Sequence, residues 1–459
     1  MNTRYTPTIV LAFALVVAAV FAGRAEAPHV YAITGARIVT AAGAPIESGT
    51  VLVRNGFIEA VGSGLSAPAD AVVIDGKGLS VYPGLIDMGN SAGLVIPSAE
   101  PPRDARTLME IERARRQFIL RPQLEAAACL RADAPELRRL AAAGITTVLS
   151  VPTGDVIKGR SSLINVVAPD DEPQIGNLAD ERRGQYVLRT PVALHVSFPT
   201  REGDGGYPGS LMGVIAFVRQ AFLDGGHYQL EMALFDRGKK PATRPVYDAS
   251  LEALQSALAG KMPVAFQAGN ANEIRRALSL AKEFKLDPII TGAIEADQAA
   301  ADLKAQKARV IYSLNFPTRS RMLAPDADEP IRVLRERANA PKVPAALDKA
   351  GLVFAFESGG LTDPKDFVRN AAKAVKAGLS ADAAIRALTI NGATIAGAAD
   401  RVGSIEKGKI ANLVITDGDL FDEKTTVKHV FVDGRPVAFD AAPAVGGARR
   451  GGRGGRGGQ

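Results

Sequence analysis

The residues of this chain best placed to do chemistry carry oxygen or amine groups more often than imidazole. Glu295 in TGAIEA and Glu357 in FAFESGG each follow a short apolar run. They are the candidate catalytic carboxylates, the acidic groups a rewired site would use for acid–base work. Asn90, Ser91, Gln267, Asn270 and Lys158 are candidate binding residues. Asp87, Asn90, Gln267, Glu295 and Glu357 together would make an oxygen-rich cluster, which suits magnesium or calcium better than zinc. The plainer reading has Asp87 capping a turn and the two glutamates paired with nearby Arg or Lys. Lys158, Ser161 and Ser162 in GDVIKGRSS offer an amine and two hydroxyls, but no base stands at a readable spacing, and glycine-flanked polar residues read as a loop. The chain has four histidines, at 29, 195, 227 and 429. His195 alternates with apolar residues in TPVALHVSFP, which fits a hydrogen-bonded structural histidine with a surviving base as the alternative. His227 in LDGGHYQ reads as a surface or capping residue. No nucleophile elbow, phosphate loop or dinucleotide fingerprint is present.

Something must position these side chains. The stretch VYPGLIDMGNS, Val81 to Ser91, reads as a turn feeding a buried strand that ends in small polar residues. Further on, PVAFQA, PIIT, RVIYSL and LVFAF are short apolar runs, and helical patterns such as Asn272 to Phe284 and Glu295 to Gln306 lie between them. Strand and helix alternate at the period of a parallel sheet with crossover helices. Eight such units close a barrel of about 250 residues, which Val81 to Ala396 can hold. Asp104 to Ala128 reads as a charged helical stretch and Glu136 to Gly144 as a helix ending on glycine before the strand ITTVLSV. Arg182 to Pro245, with REGDGGYPGS and a long helix over Leu211 to Met232, reads as an insertion over or beside the barrel mouth. Both ends are rich in strands: Asn55-Gly56 and Asp433-Gly434 each sit between alternating apolar runs, the strongest short-range hairpin signal.

Pro83-Gly84-Leu85-Ile86-Asp87-Met88, the helix-Ala-Gly-Ile-Thr-Thr-Val pattern at Ala143 to Val148, and ALTINGATIAGAADRVGSIEKGKIANLVITDGDLF, Ala387 to Phe421, resemble the amidohydrolase superfamily, nearest its imidazolonepropionase-like metal-dependent hydrolases. The resemblance runs over roughly Val30 to Val437. It implies an α/β fold, a (β/α)8 TIM-type barrel plus a small β-sandwich domain built from the N- and C-terminal segments, and carbon–nitrogen hydrolysis of non-peptide, cyclic amide bonds with zinc or another divalent metal. In that family, histidines on the first, fifth and sixth strands and an aspartate on the eighth hold the ion. Here Gly89, Ser91, Gln267, a residue near Ile294, and Glu357 or Ser358 fall at those positions, and Lys158 falls where some members carry a carbamylated lysine. His29 and His429 fall outside a barrel mouth of this architecture. The resemblance therefore implies the hydrolase frame with the usual ligands replaced. The expected site holds no metal and no cofactor, and the protein is a non-hydrolytic binding or accessory protein. The alternatives are an active hydrolase with a rewired acidic site and a structural partner of an active amidohydrolase paralogue.

Composition agrees with a folded body: 47% hydrophobic and 23% charged residues are ample for a core. The net charge of +6 owes four charges to Arg449, Arg450, Arg453 and Arg456, leaving +2 elsewhere, so charge gives no case for nucleic acid. Residues 1–27 read as a signal peptide: Arg4, an apolar run from Ile9 to Ala22, and Ala25-Glu26-Ala27 as the cleavage site. An exported, periplasmic or extracellular protein with no stable membrane span after cleavage is expected. The expected division is 28–80 and 397–441 for the two parts of the sandwich, 81–396 for the barrel and 442–459 for a disordered Gly/Arg tail. The single cysteine, Cys129, has no partner for a disulfide within the chain and reads as a buried thiol. A small molecule or peptide in the barrel mouth is the expected ligand.

Overall fold

The structure is a computed structural model that describes residues 30–97, 107–131, 134–167, 186–199, 208–238, 244–320, 322–324 and 326–438. The expected signal peptide, His29 and the Gly/Arg tail lie outside the described residues.

Alternating apolar residues near the N-terminus form β1 (Val30–Ile38), β2 (Ile46–Arg54), β3 (Phe57–Gly62), β4 (Val72–Asp75) and β5 (Ser80–Pro83). Asn55 and Gly56 both take positive φ, the geometry a two-residue hairpin turn demands. From the far end come β16 (Leu413–Thr416), β17 (Val427–Val432) and β18 (Arg435–Pro436). The two ends join where β16 pairs antiparallel with β5, Leu413 opposite Pro83 and Ile415 opposite Val81. Eight strands form one hydrogen-bonded sheet. Along one edge of β1 the partner changes, from β4 at Tyr31–Thr34 to β5 at Arg37 and Ile38, so the sheet forks there. Ile33, Val51, Ile58, Val81, Leu413 and Phe431 are fully buried in its core.

After β5 the chain enters the barrel. Its staves are β6 (Leu85–Asn90), β7 (Ile145–Ser150), β11 (Leu194–Ser197), β12 (Val264–Ala268), β13 (Pro288–Gly292), β14 (Arg309–Ser313) and β15 (Phe354–Glu357), all pointing the same way. Between β7 and β11 the stave is different. Residues 157–165 run in the opposite direction as β8 (Ile157–Arg160), which pairs with β11, and β9 (Ser162–Asn165), which pairs with β7. The short β10 (Val187–Arg189) continues outward from β9. Ile86, Leu149, Leu163, Ala265, Ile289, Ile311 and Ala355 fill the interior, so the barrel is a packed core and not a pore. A buried polar joint fastens barrel to sheet: Asn412 Nδ2 donates to Thr147 Oγ1 (3.0 Å) and Asn165 Oδ1 (2.8 Å), while its Oδ1 accepts from the Asp433 amide (2.8 Å).

Around the barrel lie α1 (Leu108–Ile119), α2 (Pro135–Ala142), α3 (Leu211–Asp236), α4 (Ala249–Leu258), α5 (Ala271–Phe284), α6 (Ala300–Ala305), α7 (Ile331–Asn339), α8 (Val343–Lys349), α9 (Lys365–Lys376), α10 (Ala381–Leu388) and α11 (Ile390–Ala396). Four local expectations change. Of the helical stretch expected over Asp104 to Ala128, α1 ends at Ile119, because Pro122 bars further helix, and a short 3-10 turn follows at Ala126–Cys129. The expected insertion over Arg182 to Pro245 contains a barrel stave, β11, whose four residues give too little periodicity to read. Its helix α3 packs Val214, Val218 and Phe222 into the outer layer, with the Phe222 ring 5.3 Å from that of Phe284. Ser162 is buried at the start of β9 and Ser161 is buried at the step between β8 and β9, not in an open loop: Ser161 Oγ donates to Ala193 O (3.3 Å) and Ser162 Oγ lies 2.7 Å from Thr190 Oγ1. Cys129 is half-buried, where a fully buried thiol was expected.

Candidate functional site

Parallel staves align their C-terminal ends, and the register sets Ser197, Gln267 and Thr291 side by side and Ser313 beside Glu357. At that end a cavity of about 420 Å³ opens, lined by Gly89, Asn90, Ser91, Lys158, His195, Gln267, Thr291, Glu357 and Ser358 together with the loops at 151–154 and 359–361. This is the barrel face where ligand sites are built, because loops there vary without disturbing the core. A wider cleft of about 1060 Å³ lies on the flank, but Arg160 and Glu125 in its wall pair with each other at 3.2 Å.

One side of the cavity is the seam between the first and last staves. Asp87 is fully buried; its Oδ1 accepts from the amides of Gly89 (3.1 Å) and Ser358 (2.8 Å), and its Oδ2 from Asn90 Nδ2 (2.9 Å). Asn90 Nδ2 also donates to Ser358 Oγ (3.2 Å), and Asn90 Oδ1 accepts from the Ala92 amide (2.7 Å). Burial raises the Asp87 pKa and these donors oppose the rise. Asp87 thus pins β15 to β6.

Glu357 ends β15. Its Oε1 accepts from the Gly292 amide at 3.0 Å, and its other oxygen comes close to Gly89. A Cβ placed on Gly89 would stand 3.0 Å from Glu357 Cβ and 3.1 Å from Cδ, and closer still to Oε2. The carboxylate therefore fills the room that a side chain at position 89 would need. Burial first, and Asp87 second, push its pKa up to about 8, against the Gly292 amide and Lys158. It is an acid able to hold or yield a proton near neutral pH.

The opposite wall carries nitrogen. Lys158, on the reversed stave, donates from Nζ to Gln267 Oε1 at 2.6 Å. Burial lowers its pKa, and the charges of Glu357 and Asp155 act the other way. His195 projects inward between the outward-facing Leu194 and Val196, and its Nε2 is buried without a hydrogen-bond partner. Burial, reinforced by Lys158, depresses its pKa to about 3, so the imidazole is neutral.

Of the candidate residues, the fold brings together Asn90, Ser91, Lys158, Gln267 and Glu357. Asn270 and Glu295 go elsewhere. Asn270 is the N-cap of α5, where its Oδ1 accepts from the Glu273 amide (3.0 Å) and its own amide donates to Glu273 Oε2 (3.3 Å). Glu295 Oε2 accepts from the Ala271 amide (3.0 Å) at the same helix start and borders a separate outer cleft with Arg332 and Arg335. Both therefore hold an element in place. Thr291 was not anticipated, because the position of the sixth-stave ligand was read near Ile294, beyond the strand end. His195 lines the cavity as well.

Residues 223–437 match the amidohydrolase family. That stretch, just under half of the chain, carries its likeness to the amidohydrolase superfamily. The barrel and sheet are similar to those of an amidohydrolase from Thermotoga maritima MSB8, with a TM-score of 0.72 and 24% identity over 89% of this chain and 99% of that one. A Xaa-Pro dipeptidase with bound methionine in its active site shares the fold at a TM-score of 0.50 and 16% identity, over 89% of this chain and 99% of that one. One stretch of 56 residues is 48% identical to a dihydroorotase from Geobacter sulfurreducens, covering 12% of this chain and 13% of that protein. A dihydroorotase from Geotalea daltonii is 50% identical over 56 residues with the same shares. The chain thus matches about an eighth of the length of these curated relatives. Among the described residues of this amidohydrolase fold, no three His, Cys, Asp or Glu side chains group as a metal would need. Of the oxygens at or beside the cavity, those of Asp87 accept from three donors and Gln267 Oε1 accepts from Lys158 Nζ.

Proposed function

We propose that this amidohydrolase-like protein uses its barrel mouth to bind a small molecule without a divalent ion and without hydrolysing it. The observation that carries the reading is the pairing of Glu357 with Gly89: the carboxylate occupies the volume a metal-binding side chain at 89 would require. The Lys158–Gln267 contact supports it, since Gln267 Oε1 already accepts from Lys158 Nζ and is not free to hold a cation. A divalent ion calls for several converging anionic or imidazole donors, and among the described residues no three His, Cys, Asp or Glu side chains group in that way. The test is elemental analysis of the purified full chain, as isolated and again after incubation with zinc or manganese followed by desalting. We expect well under one metal per chain in both; a stoichiometric ion in either would sink the proposal.

A second reading keeps hydrolysis. It is favoured by the short likeness to dihydroorotases and by Glu357, a half-buried acid that lines the cavity and whose pKa is pushed up to about 8. On that reading Glu357 is the acid–base group for opening a cyclic amide. Turnover of dihydroorotate by the wild type, lost in Glu357→Gln, would decide for it.

A further inference from the structure

We propose that Lys158 is a nucleophilic amine that captures a small aldehyde or ketone in the barrel mouth as a Schiff base. This rests on the reading that no metal ion engages the site, because an amine serving an ion would not be free to attack a carbonyl.

Four observations converge. Lys158 lies in the wall of an open cavity of about 420 Å³, the scale of a small-molecule site. Its hydrogen-bond partner is the neutral amide oxygen of Gln267, and burial, which favours the neutral amine, outweighs the opposing charges of Glu357 and Asp155. Most surface lysines are held protonated by water and counter-charges; this ammonium has an amide partner and a partly dry wall. Glu357, which holds a proton near neutral pH, lines the same cavity and senses the charge of Lys158. His195, on the neighbouring stave, is neutral and sets no carboxylate against the amine. A desolvated amine beside a proton donor is the arrangement imine chemistry requires.

The step balances without a further reactant. The neutral Lys158 nitrogen attacks the carbonyl carbon, forming the C–N bond while the carbonyl oxygen takes a proton from Glu357. The carbinolamine then loses its hydroxyl, protonated by the proton the nitrogen gives up through Glu357, as water. The product is an imine, no atom changes its overall redox balance, and hydrolysis reverses the step.

The test incubates the full chain with acetaldehyde, and separately with pyruvate, in the presence of sodium cyanoborohydride at about pH 7.5, then maps every modified lysine by peptide mass spectrometry. With at least one probe, Lys158 should be alkylated roughly tenfold faster than the exposed Lys261, and Glu357→Gln should slow Lys158 several-fold while leaving Lys261 unchanged. Lys158 reacting no faster than Lys261 with both probes, or found already carrying a carbamate, would overturn the proposal. The wild-type comparison needs no variant, so a misfolded Glu357→Gln cannot rescue it. An unreactive lysine in a protein shown free of metal sinks the imine alone; a bound stoichiometric metal sinks the non-hydrolytic reading beneath it.

Discussion

Gly89 and Glu357 behave as one steric unit. Gly89 lies in a strand, so alanine would suit its backbone, and the obstacle is the carboxylate that already stands where Cβ would go. Gly89→Ala should therefore cost about 1 to 3 kcal/mol, the range for overpacking a full site. Ser91→Ala, at an exposed position two residues on, should stay within about 0.5 kcal/mol. Denaturant unfolding measures both. The sharper check is a double-mutant cycle: Glu357→Gly makes room, so Gly89→Ala should cost less in that background, and strict additivity would show that the two residues do not compete for space. The missing histidine at 89 was visible in the sequence, since Gly89 stands at the family position. That Glu357 had moved into its room was not, because the two lie 268 positions apart in sequence and only barrel closure makes them neighbours.

At the scale of elements, the start of α5 explains two residues that had looked functional. Asn270 and Glu273 form a reciprocal capping box, and Glu295 accepts the next free amide. Polar residues just after a barrel strand can face the mouth or satisfy the first turn of the following helix, and sequence alone offers no way to choose. Asn270→Ala should lower stability by about 1 kcal/mol, the usual cost of losing a cap, while leaving the labelling rate of Lys158 unchanged; a lost label would put Asn270 back at the site. Most staves were legible, β12, β13, β14 and β15 falling within two residues of the runs that announced them. The reversed stave was not. Gly159 takes φ +127° and its ideal Cβ would lie 2.6 Å from Leu124 O, so what reads as a loop glycine is a point of close backbone approach inside a strand.

The stability of the whole molecule should record the titration of His195 and Glu357, two of the groups whose proton affinity burial shifts. His195 is held neutral down to about 3, against 6.5 in the unfolded chain. The folded state thus binds fewer protons between those values, and the stability it contributes is complete above 6.5 and lost as pH falls towards 3. Glu357 runs the other way. Its pKa rises from 4.5 to about 8 on folding, so its contribution is complete below 4.5 and lost as pH rises towards 8. The two slopes oppose each other between about 4.5 and 6.5, where their joint contribution should be nearly level, and stability should decline on either side. Urea unfolding across this range should show the alkaline decline reduced in Glu357→Gln and the acid decline reduced in His195→Gln; unchanged limbs would mean that neither group is buried as described. No helix among the described residues is long and apolar enough to cross a membrane.

By itself the sequence determined the period of strand and helix, the two strand-rich ends, and the small residues at the end of the first stave, because apolar spacing, turn chemistry and local motifs are properties of neighbours in the chain. Tertiary structure alone decided which polar groups meet. Lys158, His195, Gln267 and Glu357 come from four staves, and their shared cavity, their altered proton affinities and the filled space beside Gly89 arise from burial and closure, which depend on distances that no local pattern encodes.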